Sequence, residues 1–200
     1  DGAGVEALLN SADLGLYRAK EEGKGTFRFF ETKMDDIVRD RRILEQELRG
    51  ALAANQFELH FQPLVSALDD TTSGFEALIR WNHPTRGQVP PSDFIPLAEK
   101  TGLICEIGDW VLMEACRTAS AWPEHMSISV NLSPQQFQNR RIVNAAKHAL
   151  TATGLTPARL ELEITEGLFV DNTEEALTAL NDLKALGVMT SLDDFGTGYS

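Results

Sequence analysis

Five of the side chains in this sequence that could give oxygen to a hard cation interrupt or follow short apolar runs. Glu76 stands inside the run around Phe75, Asn131 follows residues 127–130, Glu163 follows Leu160–Leu162, and Asp193-Asp194 close the run 188–192. Thirty-two residues separate Asn131 from Glu163 and thirty separate Glu163 from Asp193, the length of one strand–helix unit each. Carboxylates with one amide suit magnesium or manganese rather than zinc. Cations held in this way can activate water and stabilise charge on a phosphoryl centre.

Each position also has a plainer explanation. A charge within an apolar strand is rarely left unpaired, which favours a role for Glu76. Asn131 alone could cap the short helix that Ser133-Pro134 announces. Glu163 and Glu166 could both be helix-capping acids. Adjacent strand residues point to opposite faces, so Asp193 and Asp194 reach one site only where the strand ends. Gly196 and Gly198 mark such an end, although an Asp-rich turn would read the same way. Arg80 lies four residues beyond Glu76 on the same strand face. It could clamp a phosphate oxygen or pair with Glu76 itself. Gln62, at the end of a strand in Phe61-Gln62-Pro63, could contact a base or ribose or be structural.

Other reactive residue types offer less. His60, His83, His125 and His148 show no ligand spacing, and Trp81, Trp110 and Trp122 read as core. Cys105 and Cys116 are eleven residues apart, so on a helix they share a face as two small buried side chains. No disulfide framework is indicated, which suits a reducing cytoplasm. The Gly-Thr-Gly at 196–198 is no dinucleotide fingerprint, because no helix-opening third glycine follows.

The elements that must carry these residues alternate in type. Strands are predicted over 57–65, 72–81, 127–132, 159–165 and 188–192, with a turn at 68–73. Helices are predicted over 93–101 (opened by Pro90-Pro91-Ser92), 107–122, 140–153 closed by Gly154, and 173–186 closed by Gly187. Such alternation argues for parallel pairing, as in an α/β barrel or open sheet. In a barrel, the C-terminal strand ends converge on the mouth that holds the chemistry. Upstream, residues 1–32 read as a last helix, 7–20, and an edge strand around Phe27, Phe29 and Phe30. Residues 33–55 read as a charged connecting helix with a narrow apolar stripe, and 56–200 as the main domain. The chain begins at Asp1 without a methionine, so it is expected to be an excerpt.

Two hundred residues at 42% hydrophobic content can bury a sizeable core. Net charge is −12, and from residue 155 onward nine acidic residues face two basic ones, Arg159 and Lys184. A duplex nucleic acid is not an expected partner of such a surface. An anionic small substrate would need divalent cations to bridge it to the protein. No apolar run approaches bilayer length, and no charged-then-apolar leader opens the chain. The expected location is cytoplasmic, with any inner-membrane tether of the parent protein lying upstream.

Together these residues resemble the EAL family of cyclic di-GMP phosphodiesterases. Glu76-Ala77-Leu78 stands as the signature tripeptide, and FQP at 61–63, NLS at 131–133, EITE at 163–166 and DDFGTGYS at 193–200 match further family motifs in order. Residues 12–30 resemble the end of a GGDEF domain, whose own signature loop is absent. The resemblance implies a TIM-like (β/α)8 barrel of the EAL type, cut about halfway, behind a GGDEF remnant. It implies that Glu76, Asn131, Glu163 and Asp193 hold a first cation, and that Asp193 bridges to a second one bound also by Asp194. Glu76, Asp193 and Asp194 would be the catalytic set, Arg80 and Gln62 would contact substrate, and Glu166 would steady the loop from Phe195. Magnesium or manganese would support cleavage to linear pGpG, and calcium would inhibit. An upstream GGDEF domain and a homodimer through the barrel fit the same resemblance. The family's active-site lysine and a further metal-linked glutamate come from later strands, so residues 1–200 alone are expected to be inactive. An EAL domain that only binds cyclic di-GMP, or only relays signals, is the competing reading. A carboxylate glycosidase would leave Asn131 and the double Asp unexplained.

Overall fold

The computed structural model describes the backbone of residues 32–67, 69–165 and 173–193, together with Gly4, Val5, Leu8, Leu9, Ala12, Leu16 and Phe27. Two units divide the chain, residues 1–47 and 48–200. In the first, Leu8, Leu9, Ala12 and Leu16 are helical, as the predicted helix 7–20 requires, and the rest of that helix lies outside the described residues. Phe27, the one described residue of the expected edge strand, is in neither helix nor strand. Helix α1, Thr32–Ala51, takes in most of the predicted connector, and Leu48 and Ala51 at its end are buried in the second unit.

Second-unit elements follow the predicted alternation. They are β1 (Phe57–Val65), β2 (Thr72–His83), β3 (Gly87–Val89), α2 (Pro91–Thr101), α3 (Ile104–Ser120), β4 (Ser127–Asn131), α4 (Arg141–Thr153), β5 (Leu160–Thr165), α5 (Thr173–Ala185) and β6 (Met189–Asp193). Short 3-10 turns, Pro134–Arg140 and Pro157–Arg159, precede α4 and β5. Gly154 at φ 70° and Gly187 at φ 87° lie in the left-handed region, which ends a helix at no steric cost. Strand β3 was not legible beforehand. It returns along β2 after a turn, pairing Trp81 with Val89 and His83 with Gly87.

The sheet order is β1-β2-β4-β5-β6, with β3 also on β2. Strands β2, β4, β5 and β6 run parallel, while β1 is antiparallel to β2, so the sheet is mixed. Its helix-facing side is apolar. Ile128, Val130, Leu160, Leu162 and Ile164 on β4 and β5 are buried, as are Leu112, Ala115, Cys116 and Ala119 of α3. Phe57 stands within 6.0 Å, centroid to centroid, of Trp81, Phe94 and Trp110, and Trp81 is wholly buried. The indole N–H of Trp81 donates to Gln56 Oε1 at 3.0 Å, so the ring is buried with its polar edge satisfied.

One arginine ties a helix end to the next strand. Arg159 donates from Nε to the Met126 carbonyl at 2.8 Å and from Nη2 to the Ala119 carbonyl at 2.7 Å. A third bond, 3.3 Å long, reaches the Trp122 carbonyl. Carbonyls at a helix end have no intrahelical partner, and a guanidinium satisfies several at once. Arg159 therefore acts at the turn into β5, not as the first residue of that strand.

Candidate active site

Register along the sheet puts the predicted ligands on one face. Glu76 of β2 pairs with Ser129 of β4, and Asn131, two residues on, pairs with Glu163 of β5. Two residues further, Thr165 pairs with position 193 of β6. Every step along a strand is an even number of residues, so by the period of two Glu76, Asn131, Glu163 and position 193 share one face. Gln62 lies directly opposite Glu76 on β1, and Arg80 lies opposite Glu58, both again on that face. The successive upward steps match the stagger expected of tilted parallel strands.

Side-chain contacts sharpen the picture. Asn131 Nδ2 donates to Glu76 Oε1 at 2.6 Å, which makes the amide and carboxylate converge across neighbouring strands. The amide does not cap the following 3-10 turn. There the Gln136 side chain accepts from the Ser133 N–H at 3.0 Å, and Ser133 Oγ donates to Glu99 Oε1 at 2.8 Å. Gln135 Nε2 also donates to the Glu99 carbonyl at 2.9 Å, so the loop after β4 is anchored to α2 and Asn131 is left for the site. Arg80 does not pair with Glu76. Its Nη1 donates to the Ile79 carbonyl at 2.9 Å. Glu58, across from Arg80, is held below the usual carboxylate range first by a hydrogen bond from Asn82 and then by one from His60.

A cavity of about 340 Å³ adjoins these groups, with Leu78, Arg80, Ile95, Glu99, Asn131 and Thr165 among its lining. A hollow of about 480 Å³ opens elsewhere, lined by Cys105, Asp109, Arg141 and His148 with no strand residue in its wall. Both cysteines are free and both lie on α3. Burial pushes the Cys116 thiol up to about 12 and raises the Cys105 thiol as well. His83 is a structural residue, whose Nδ1 accepts from the Thr85 and Arg86 N–H groups at 3.3 and 3.2 Å.

The donors brought together suit a hard divalent cation. A carboxamide offers either its oxygen or its nitrogen to a given point, so Asn131 can present Oδ1 where Nδ2 now meets Glu76. Glu163 stands beside it in the ladder, and the one imidazole that the β1–β2 register puts on this face, His60 opposite Leu78, is hydrogen-bonded to Glu58 at 2.8 Å. Two carboxylates and an amide fall short of a cluster of three acidic or imidazole ligands, and none such occurs among the described residues. Glu166 and Asp194, with the loop 195–200, lie outside the described residues, and of Asp193 only the backbone is described. Polar neighbours that sequence reasoning missed are Ser129, Thr165 and Ser191. Their signal was present in the strand period, but it needed the register between strands to acquire meaning.

Fold and site thus define an α/β protein with a mixed sheet whose strand ends gather oxygen donors on one face. The chain belongs to the EAL domain family, whose model matches residues 45–200. It is 52% identical over 200 residues to an "uncharacterized signaling protein" of Caulobacter vibrioides, covering all of this chain and 25% of that protein. It is 43% identical over 204 residues to the bifunctional diguanylate cyclase/cyclic di-GMP phosphodiesterase MucR of Pseudomonas aeruginosa, covering all of this chain and 30% of that protein. Among solved structures, the MucR phosphodiesterase in complex with c-di-GMP aligns at TM-score 0.75 and 46% identity, over 79% of this chain and 66% of that one. The chain therefore spans less than a third of the length of these two curated relatives. No helix among the described residues is long and apolar enough to cross a membrane.

Proposed function

We infer that this chain is part of a metal-dependent phosphodiesterase that hydrolyses cyclic di-GMP to linear pGpG. The observation that carries the reading is the 2.6 Å approach of Asn131 to Glu76 on the sheet face that also bears Glu163. The names of relatives support it, as does the filling of each family motif within the chain by the required residue type. Those filled positions favour cleavage over a receptor role.

Glu76, Asn131, Glu163 and Asp193 would hold one divalent cation, and Asp193 with Asp194 a second, with magnesium or manganese the expected metals. Such cations supply charge stabilisation for the phosphoryl group and an acidified water. Hydrolysis joins the oxygen of water to phosphorus, breaks the bond from phosphorus to one ribose 3′-oxygen, and leaves a proton on that oxygen. Arg80 would hold a non-bridging phosphate oxygen, because only part of its five-donor guanidinium is engaged by the Ile79 carbonyl. Gln62, exposed and opposite Glu76, offers both a donor and an acceptor to a base or ribose. Glu166 would steady the loop from Phe195.

The domain plan is a GGDEF remnant over 1–32, a connecting helix over 33–55 and the first part of an EAL barrel over 56–200. The separation of residues 1–47 as a unit and the bifunctional name of MucR support it. Parallel strands alternating with helices support a TIM-like barrel in the whole protein. A cytoplasmic location and a homodimer through the barrel belong to the same proposal. To test it, the full-length protein is stripped with a chelator and given cyclic di-GMP with magnesium, manganese or calcium, and products are separated chromatographically. pGpG should form with magnesium or manganese and poorly with calcium. Cleavage undiminished after chelation, or none with any metal, would overturn the reading.

A further inference from the structure

Ser129 is an anomaly on the site face. It is completely buried on β4, yet its hydroxyl has no hydrogen-bond partner among the described residues. A buried hydroxyl is normally satisfied, and one that is not calls for an explanation. Its ladder neighbours supply one. Ser129 is the register partner of Glu76 on one side and of Glu161 on the other, and Asn131 stands two residues beyond it on the same face. Ser191 on β6 repeats the arrangement. It is the register partner of Glu163, and its Oγ is likewise buried without a partner among the described residues. Two unsatisfied serine hydroxyls therefore each sit one strand away from a carboxylate of the candidate cation site.

We propose that Ser129 is a positioning residue for that site, donating its hydroxyl hydrogen to the Glu76 carboxylate when Glu76 and Asn131 turn their oxygens onto a divalent cation. This rests on the cation-site reading given above. In the geometry seen, one Glu76 oxygen is taken by the Asn131 amide N–H. Turning the amide to offer Oδ1 removes that donor, and Ser129 Oγ is the hydroxyl at the Glu76 register position able to replace it. A second partner of this kind fixes which carboxylate lone pair meets the metal and tunes the strength of the ligand. Alanine at 129 would keep the fold, and would remove a polar group that is unsatisfied without the cation.

The consequence is a pair of effects with opposite signs. Ser129→Ala in the full-length protein should weaken manganese binding by roughly tenfold, the lower end of what loss of such a partner costs. The melting temperature in chelator should stay the same or rise, and the rise on adding manganese should shrink. Ser129→Thr, which keeps the hydroxyl and suits a strand, should restore affinity. Manganese binding is read by electron paramagnetic resonance or calorimetry and stability by thermal melting, so neither readout depends on turnover. Ser129→Cys serves as a near-isosteric weak donor if the alanine variant fails to fold, and it too should bind manganese more weakly. Glu76→Gln separates the two readings. If it leaves manganese binding unchanged, the cation site itself is wrong. If it abolishes binding while Ser129→Ala or Ser129→Cys binds like wild type, only the serine proposal falls. A Ser129→Ala protein that melts lower with and without manganese would make Ser129 a packing residue and overturn the proposal.

Discussion

Arg80 engages the Ile79 carbonyl through a single nitrogen and pairs with no carboxylate among the described residues. A phosphate clamp acts largely in the ground state, so Arg80→Ala should raise KM for cyclic di-GMP more than it lowers kcat. Loss of a charged hydrogen bond is worth about 1.5–3 kcal/mol, hence a KM increase of roughly ten- to a hundredfold in steady-state kinetics. A fall in kcat with KM unchanged would instead assign Arg80 to the transition state. Asp193→Asn exchanges a charge for a near-isosteric amide at a strand end, so cleavage should vanish while the thermal melt stays close to wild type. Turnover near the wild-type level in a folded variant would refute the ligand role. The cysteines separate by burial. Cys116 ionises in the folded chain only near 12, against the ordinary 9.0 that the unfolded chain keeps. Its contribution to stability is therefore complete below pH 9 and drains away as pH rises towards 12. A thiol reagent at pH 8 should label half-buried Cys105 in the native protein and reach Cys116 only on unfolding. Two fast-reacting thiols would contradict this.

Between elements, the backbones come close at Gly74, where β2 passes β4. A Cβ there would stand 2.4 Å from Ser127 Oγ and 2.5 Å from the Ser127 carbonyl oxygen. The hydroxyl can rotate away but the backbone oxygen cannot, so Gly74→Ala must push the two strands apart. Overpacking of this kind costs about 1–3 kcal/mol, readable as a lower midpoint in urea denaturation. The same ladder sets Glu76 beside Ser129 and carries Asn131 to its meeting with Glu76, so activity should fall further than stability alone explains. Wild-type stability in Gly74→Ala would show that β2 and β4 are not held at this distance. Gly108 plays the matching role behind the site, since a Cβ there would come within 2.2 Å of Gln136 Nε2. It lets α3 approach the turn that anchors the loop after Asn131.

Across the second unit, the two sides of the sheet carry opposite chemistry. One is sealed by helices; the other bears Glu76, Asn131, Glu161 and Glu163, in a chain of net charge −12. Divalent cations are the natural counterweight to such a face when the ligand is itself an anion. The last strand in the sheet order, β6, leaves Met189 53% and Leu192 42% exposed, and Leu177 on α5 is 47% exposed. An edge strand with open apolar side chains is a site of association. Residues 1–200 expressed alone should therefore self-associate in sedimentation velocity. A monomer with a sharp two-state melt would contradict this expectation.

Local rules were enough for much of this protein. The alternation of strands and helices, the glycine stops at 154 and 187, and the shared face of Glu76 and Arg80 all follow from periods and dihedral preferences within one segment. The motif residues in sequence order carried the family resemblance. Strand β3 escaped because three residues after a turn carry no period to read. The partner of Glu76 escaped for a deeper reason. A salt bridge to Arg80 and a helix cap by Asn131 both remained open from spacing, and the structure replaced both with Asn131 donating across to Glu76. That choice depends on the register between β2 and β4, which is fixed by ladder hydrogen bonds and by the packing of residues more than fifty positions apart. Ser129 likewise reads as an ordinary strand serine until that register sets it beside a carboxylate. The sequence by itself determined which oxygen donors exist and on which strands they ride. Only the tertiary structure decided which of them meet, because contact between strands is settled by non-local packing that no single segment encodes.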